Sequence, residues 1–299
     1  MRGGAVVAFP TETVYGLGAS AFNARAVAKV FDVKRRPSFD PLIVHVSDDS
    51  MLREIVASVP HTARRLIDAF WPGPLTLIFQ KSGRIAEIVT AGLPSVAVRM
   101  PAHPVARTLI ERSGVPIAAP SANPFGFLSP TRAEHVAEMF GASIDMIVDG
   151  GPTQHGIEST IVLLEPVPTL LRPGAIPVED IEALVGPLSR ERTDAARPLA
   201  PGRLPQHYAP RTPIHLVDCD VVLRERQGAA LLAFRDEVAG YQAVRVLSRD
   251  GDLREAGSKL FQYLHELDAL QLMRIDAQTV PEIGIGTAIM DRLRRAAHR

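Results

Sequence analysis

The sequence predicts an α/β protein in two unequal parts: a larger N-terminal domain with a parallel or mixed sheet and flanking helices, then a smaller α/β domain. Three observations carry this. Short apolar runs alternate with helical periodicity over residues 1–186. A proline-rich stretch interrupts the pattern at 187–213. The alternation then resumes over 214–299.

Taken in order, residues 5–9 form an apolar run closed by Pro10, which predicts a buried strand. Asn23 is placed to cap a helix whose apolar face would be Ala24, Val27, Ala28 and Phe31. A basic turn, Lys34-Arg35-Arg36-Pro37, leads to a strand at 42–46. Further strands are predicted at 75–79, 96–99, 117–119, 146–148, 160–164 and 169–171, with helices near 61–70, 104–112 and 132–140. Thr131 and Glu134 have the spacing of a capping box for the helix near 132–140. Prolines at 187, 198, 201, 205, 210 and 213 block helix and central strand, which predicts a semi-rigid linker. Between 189 and 211 that linker holds five arginines and two acids. Beyond it come strands at 214–217, 229–234 and 243–247, a helix near 253–270 and a last helix near 287–297, which Gly284-x-Gly286 opens.

Composition narrows the function. The 299 residues have 33 basic and 33 acidic side chains, so no global positive field gathers nucleic acid or an anionic membrane. Aromatic residues are 5% of the chain, too few for a platform that stacks several bases. The single cysteine, Cys219, excludes an internal disulfide and a multi-cysteine metal cluster, and reads as an inert small apolar residue. No apolar run reaches the roughly 18 residues of a membrane helix. The expected location is cytoplasmic.

Polar side chains gather at strand ends, where α/β folds place ligands. Thr11 and Thr13 follow the first strand; they suit either a polar substrate or a turn entering a helix. Gly16-x-Gly18-x-x-Ala21 imitates a dinucleotide fingerprint but comes too late after the strand. Lys34, Arg35 and Arg36, with Asp40 nearby, suit phosphate binding or a solvated basic turn. His45 sits among apolar neighbours, as a core histidine or a ligand. Arg99, near a strand end, needs an anion: a protein carboxylate or a substrate. Ser121 and Asn123 follow another strand, Ser129 stands beside a helix N-terminus, and Ser159 and Arg172 flank the next two strands. His207 and Tyr208 lie in the linker and would act as a lid. No phosphate-binding lysine loop, serine elbow or hydrolase triad occurs, so the site is one that positions and neutralises charge.

The motifs FPTETVYGLGA, K-x-R-P with DPLIVH, WPGPLT, VAVRMPAHP, APSANPFGFLSPT, IDMIVDGG, GIESTIV and LRPG occur in this order. Together they resemble the YrdC/Sua5 family, threonylcarbamoyl-AMP synthases. PGRLPQHYAP and GIGTAIMDRLRRAA resemble the longer type, which adds a C-terminal Sua5 domain. The resemblance implies a YrdC-like catalytic domain with a twisted mixed sheet and flanking helices at 1–186, a linker or lid at 187–213 and a smaller Rossmann-like Sua5 domain at 214–299. It also implies the reaction: L-threonine, bicarbonate or carbon dioxide, and ATP give threonylcarbamoyl-AMP and pyrophosphate. ATP is a substrate with Mg2+, and no organic prosthetic group or assured protein metal site is implied.

Downstream threonylcarbamoyl-transferase proteins would complete N6-threonylcarbamoyladenosine at position 37 of tRNA, with at most weak direct tRNA contact. By the same resemblance, Thr13, His45, Arg99, Ala119 and Ser159 hold threonine. Arg36, Asp40, Ser95, Ser121, Ser129, Arg172 and His207 hold ATP, and Lys34 and Asn123 assist. Lys34, Arg36 and Arg99 are the charge-neutralising candidates. The sequence departs from the family at Asp40, usually Asn, and at Arg203, usually Met, and it lacks the helix usually found upstream. Competing classes are a tRNA or double-stranded RNA-binding module, a carbamoyl-transfer maturation protein and a nucleotide-sensing regulator.

Overall fold

The computed structural model describes residues 1–190, 201, 208–218 and 226–298. The N-terminal domain is built on nine strands: β1 (Val7–Phe9), β2 (Gly16–Ser20), β3 (Ile43–His45), β4 (Leu75–Gln80), β5 (Ser95–Arg99), β6 (Ile117–Ala118), β7 (Met146–Ile147), β8 (Thr160–Leu163) and β9 (Thr169–Arg172). They lie in the order β7-β1-β2-β6-β3-β5-β4-β8-β9. β3 runs parallel to β5 and β4 to β8, while β4 and β5 are antiparallel, so the sheet is mixed. Six helices flank it: α1 (Ala24–Lys34), α2 (Asp49–Ile55), α3 (His61–Phe70), α4 (Pro104–Ser113), α5 (Ala133–Phe140) and α6 (Val178–Val185). The core of this domain runs from Val6 to Leu188 and takes in Val178 and Ile181 of α6.

The second domain has four parallel strands, β10 (Ile214–Val217), β11 (Ala229–Ala233), β12 (Ala243–Val246) and β13 (Arg274–Gln278), in the order β10-β13-β11-β12. Its helices are α7 (Leu253–Asp268) and α8 (Gly286–Ala297). Leu260 and Leu264 of α7 share one core with Ile289 and Leu293 of α8 and with Ile275 and Leu232 of the sheet. That core also takes in Val14, Leu128, Ile157 and Ala175 of the first domain. The two domains therefore share apolar interior. Among the described residues no helix is long and apolar enough to cross a membrane.

Several sequence expectations need correction. The stretch after Pro10 does not enter a helix. It returns as β2, antiparallel to β1 and buried throughout, which also disposes of the dinucleotide fingerprint. Asn23 does cap α1, accepting from the Ala26 amide, but the buried face is Ala26, Val27, Val30, Phe31 and Lys34. The periodicity pointed one residue off because alanines fit either face. The capping box fails. Arg132 is the N-cap of α5 and makes no side-chain cap bond. The imidazole Nδ1 of His135 takes the Thr131 amide proton instead. β2, α2, α6 and β13 were not legible beforehand. β2 is glycine-rich, and β13 interleaves Arg274, Asp276 and Gln278 with its apolar residues. Cys219, Arg203 and His207 lie outside the described residues.

Candidate active site

Strand register assembles the site from distant segments. His45 lies opposite Arg99 across the parallel β3–β5 pair. The Ala119 amide donates to the Ile43 carbonyl (2.9 Å), and Ser121 bridges to Gly16. Ser159 immediately precedes β8, and Arg172 ends β9 opposite Ile161. Gly174 lets the following turn press against Ser159. A Cβ there would stand 2.3 Å from the Ser159 carbonyl carbon and the Thr160 nitrogen.

These segments line one narrow cleft, part of it open to solvent. Thr13, His45, Arg99, Ala119 and Ser159 line it. So do Arg36, Ser121, Arg172 and Tyr208, together with Glu158 and Pro201. Nine of the candidate residues therefore share one cleft.

At one end, Arg99 is 3% exposed and tightly held. Its Nε donates to the Gly73 carbonyl (3.2 Å) and one terminal nitrogen to the Thr13 hydroxyl (2.8 Å). The other terminal nitrogen is 2.6 Å from a carboxylate oxygen of Glu12. The protein anion that Arg99 required is thus Glu12, a residue the sequence reading passed over. Burial works against its charge, but Arg99 holds the Glu12 carboxyl below the usual carboxylate range. The only sequence hint was an acid between two threonines in a buried loop. His45 beside it is neutral. Burial, reinforced by the Arg99 charge, pushes its imidazole down to about 3. Its Nδ1 is buried and makes no hydrogen bond among the described residues.

At the other end stand Arg36 and Arg172. Arg36 pairs with Asp40 at 2.9 Å, both side chains almost fully buried. Burial lowers the arginine and raises the aspartate, and their mutual attraction opposes both shifts. Asp40 itself stands behind Arg36 and does not line the cleft. Arg172 donates to the Ser159 carbonyl (3.0 Å) and hydroxyl (3.1 Å), and to the Pro201 carbonyl (3.3 Å). The Ser159 hydroxyl also meets Thr76 at 2.8 Å.

The remaining candidates separate by position. The solvated-turn reading fails for Lys34 and Arg36, which are buried; only Arg35 is exposed. The Lys34 ammonium donates to the Ser121 carbonyl (2.6 Å) and to that of Asn123, so it braces the Ser121 loop from behind. Its pKa falls far below the usual lysine value, chiefly through burial. Asn123 fastens the same loop through the Phe127 carbonyl (2.9 Å). Ser129 is buried and donates to Glu158 (2.5 Å), again one layer behind the wall. Ser95 is not brought to the cleft. It begins β5, opposite Gln80, whereas Arg99 ends that strand, and it lines a separate groove with Ser58 and Pro94. Among the described residues no cluster of three or more His, Cys, Asp or Glu could hold a metal ion.

A cleft lined by three arginines and one carboxylate, with Pro201 and Tyr208 also in its wall, defines an enzyme-type site for small anionic molecules. Residues 1–174 match the Sua5/YciO/YrdC family model, described as "Telomere recombination". Residues 176–298 match the model described as "Threonylcarbamoyl-AMP synthase, C-terminal domain". The threonylcarbamoyl-AMP synthase of Bacillus subtilis (strain 168) is 43% identical over 313 residues, covering 99% of this chain and 90% of the relative. That of Pyrococcus abyssi (strain GE5 / Orsay) is 43% identical over 313 residues, covering 99% and 92%. The crystal structure of P. abyssi Sua5 complexed with L-threonine superposes with a TM-score of 0.93 at 40% identity, covering 99% of this chain and 91% of that one. The chain belongs to the Sua5/YrdC family, in its two-domain form.

Proposed function

We propose that this chain is a threonylcarbamoyl-AMP synthase, joining L-threonine, bicarbonate or carbon dioxide, and ATP into threonylcarbamoyl-AMP with release of pyrophosphate. The observation that carries the reading is one cleft with arginine side chains at both ends. Arg99 with Thr13 suits an amino-acid carboxylate. Arg36 and Arg172 with Ser121 suit a triphosphate. In this reading His45, Ala119 and Ser159 serve the amine and hydroxyl of threonine. Magnesium enters with ATP as part of the substrate.

The threonine nitrogen adds to carbon dioxide and loses a proton to solvent or bicarbonate, giving a carbamate. A carbamate oxygen attacks the α-phosphorus, the bond to the β-phosphate oxygen breaks, and pyrophosphate leaves. Arg36 and Arg172 stabilise the charge that develops on the phosphoryl oxygens. Tyr208 and Pro201 close over a product that water would hydrolyse.

Asp40, Ser129, Lys34 and Asn123 act from behind the wall in this reading. The division into a catalytic domain (1–186), a lid (187–213) and a second domain (214–299) belongs to it as well. It is supported by the placement of α6 in the first core. So do a cytoplasmic location, downstream transferase proteins and any tRNA contact.

The test is pyrophosphate release from ATP by the full chain. Release that requires both threonine and bicarbonate is expected. Release independent of threonine, or none, defeats the reading. Weak tRNA binding without a steep salt dependence is expected alongside.

A further inference from the structure

The second domain reaches the wall of the cleft at one side chain that the reaction above does not use. Arg292, on α8, is 1% exposed although it is an arginine on a terminal helix. Its Nε donates to a Glu158 carboxylate oxygen at 2.8 Å and one terminal nitrogen to the Pro173 carbonyl at 3.0 Å. The other terminal nitrogen donates to Asp291 at 2.6 Å, so the guanidinium is held from both domains. Its plane lies over the Tyr208 ring, 5.0 Å from the centroid.

Glu158 and Tyr208 both line the cleft. Tyr208 has a left-handed backbone (φ +63°), a strained state for a non-glycine residue, and its ring also meets Phe261 of α7 at 5.6 Å. A second contact reaches the same wall independently. The His265 imidazole of α7 meets the Ser129 carbonyl at 3.1 Å, and the Ser129 hydroxyl donates to Glu158. Gly156, at φ +67°, admits α7 at close range: a Cβ there would lie 2.4 Å from the Ser258 carbonyl oxygen.

We propose that Arg292 is a positioning residue for the nucleotide end of the cleft. It neutralises Glu158 and seats Tyr208, so the second domain completes the site that the first domain begins. The physical reason is charge balance in a dry wall. Glu158 is the one carboxylate among the cleft-lining residues described, and its neighbour Ser159 is held by Arg172, which the proposed function assigns to the triphosphate. Without its guanidinium partner it would repel the phosphates and lose the bond that fixes its orientation. Arg99, Thr13 and Glu12 lie at the other end, and Arg292 touches none of them. The nucleotide assignment rests on the function proposed above.

The experiment compares the full-length wild type with Arg292→Met, Glu158→Gln and the double variant, with folding checked by circular dichroism and thermal melting. Calorimetry with MgATP and, separately, with L-threonine needs no turnover, so it reads this inference even if the synthase reading fails. Arg292→Met is expected to weaken MgATP binding at least tenfold and raise the ATP KM more than it lowers kcat. Threonine affinity is expected to stay within twofold. The double variant, with both charges gone, is expected to recover most of the MgATP loss. Unchanged MgATP binding in a folded Arg292→Met overturns the proposal. So does a double variant as impaired as, or as unfolded as, Arg292→Met, because a packing defect would then be the cause.

Discussion

The two ends of the cleft are built differently. The Arg99 end belongs to the first domain alone: Glu12, Thr13 and Gly73 hold the guanidinium, and each sits on a loop fixed by the nine-stranded sheet. The Arg172 end is assembled across the chain. Ser159 supports it from one strand, Pro201 from the linker, and Arg292 reaches Glu158 and Tyr208 from the second domain. The first guanidinium has partners from one domain and the second end has partners from both. On the proposed assignment, damage to the second domain should therefore weaken MgATP binding more than threonine binding.

Arg99→Ala attacks the first of these ends and carries the largest effect. Threonine affinity should fall by about 100-fold or more, the value of one charge-assisted pair with additional hydrogen bonds. It also strands Glu12, and breaking a buried pair costs about 3–5 kcal/mol of stability. Adding Glu12→Gln should restore the urea midpoint without restoring threonine binding by calorimetry. Intact threonine affinity in Arg99→Ala would remove that arginine from the carboxylate role and erase the contrast.

Arg172→Met tests the assembled end. ATP KM should rise by about 30-fold while threonine affinity changes by less than about fivefold, since Arg172 reaches the proposed threonine residues through Ser159. Equal losses for both substrates would mean that the cleft is one unit.

Asp40→Asn sharpens the same end by a smaller amount. It removes the carboxylate that occupies Arg36, so ATP KM should fall by about three- to tenfold while the melting temperature of the ligand-free chain drops. A rise in ATP KM would show that Asp40 serves the nucleotide directly.

Acid stability probes the interior of both regions. His45 and His135 are each pushed down to about 3 by burial, from about 6.5 when unfolded. As pH falls from about 6.5 towards 3, the unfolded chain binds protons that the native chain refuses. Stability is present above pH 6.5 and is lost on acidification, by up to about 1.4 kcal/mol per unit for each group. Urea midpoints at pH 6.5 and 4.5 should show the loss, and His135→Gln should flatten it. The smallest effect is expected for Ser95→Ala, which lies at the far end of β5: ATP KM should change by less than about twofold.

Much of the fold was written in local pattern. Strands such as β4 and β8 are mostly apolar, and Asn23 marks the start of α1. What stayed hidden lacked that contrast: β2 reads as Gly-Leu-Gly-Ala-Ser, and Thr131 and Glu134 imitate a cap that His135 displaces. At the site, residue type alone left Arg99 open between a protein carboxylate and a substrate, and Lys34 between phosphate binder and solvated turn. Motif resemblance named both without saying what stands behind them.

Chemistry and order along the chain were the sequence's own contribution: which residues carry charge, which runs are apolar, and which segments carry the family's motifs. Partnership was left to the tertiary structure. Glu12 meets Arg99, Asp40 meets Arg36, and Arg292 crosses from the last helix to Glu158, 134 positions away. Local pattern cannot encode such pairs, because an ion's partner is set by which loops the sheet brings together and how completely they exclude water.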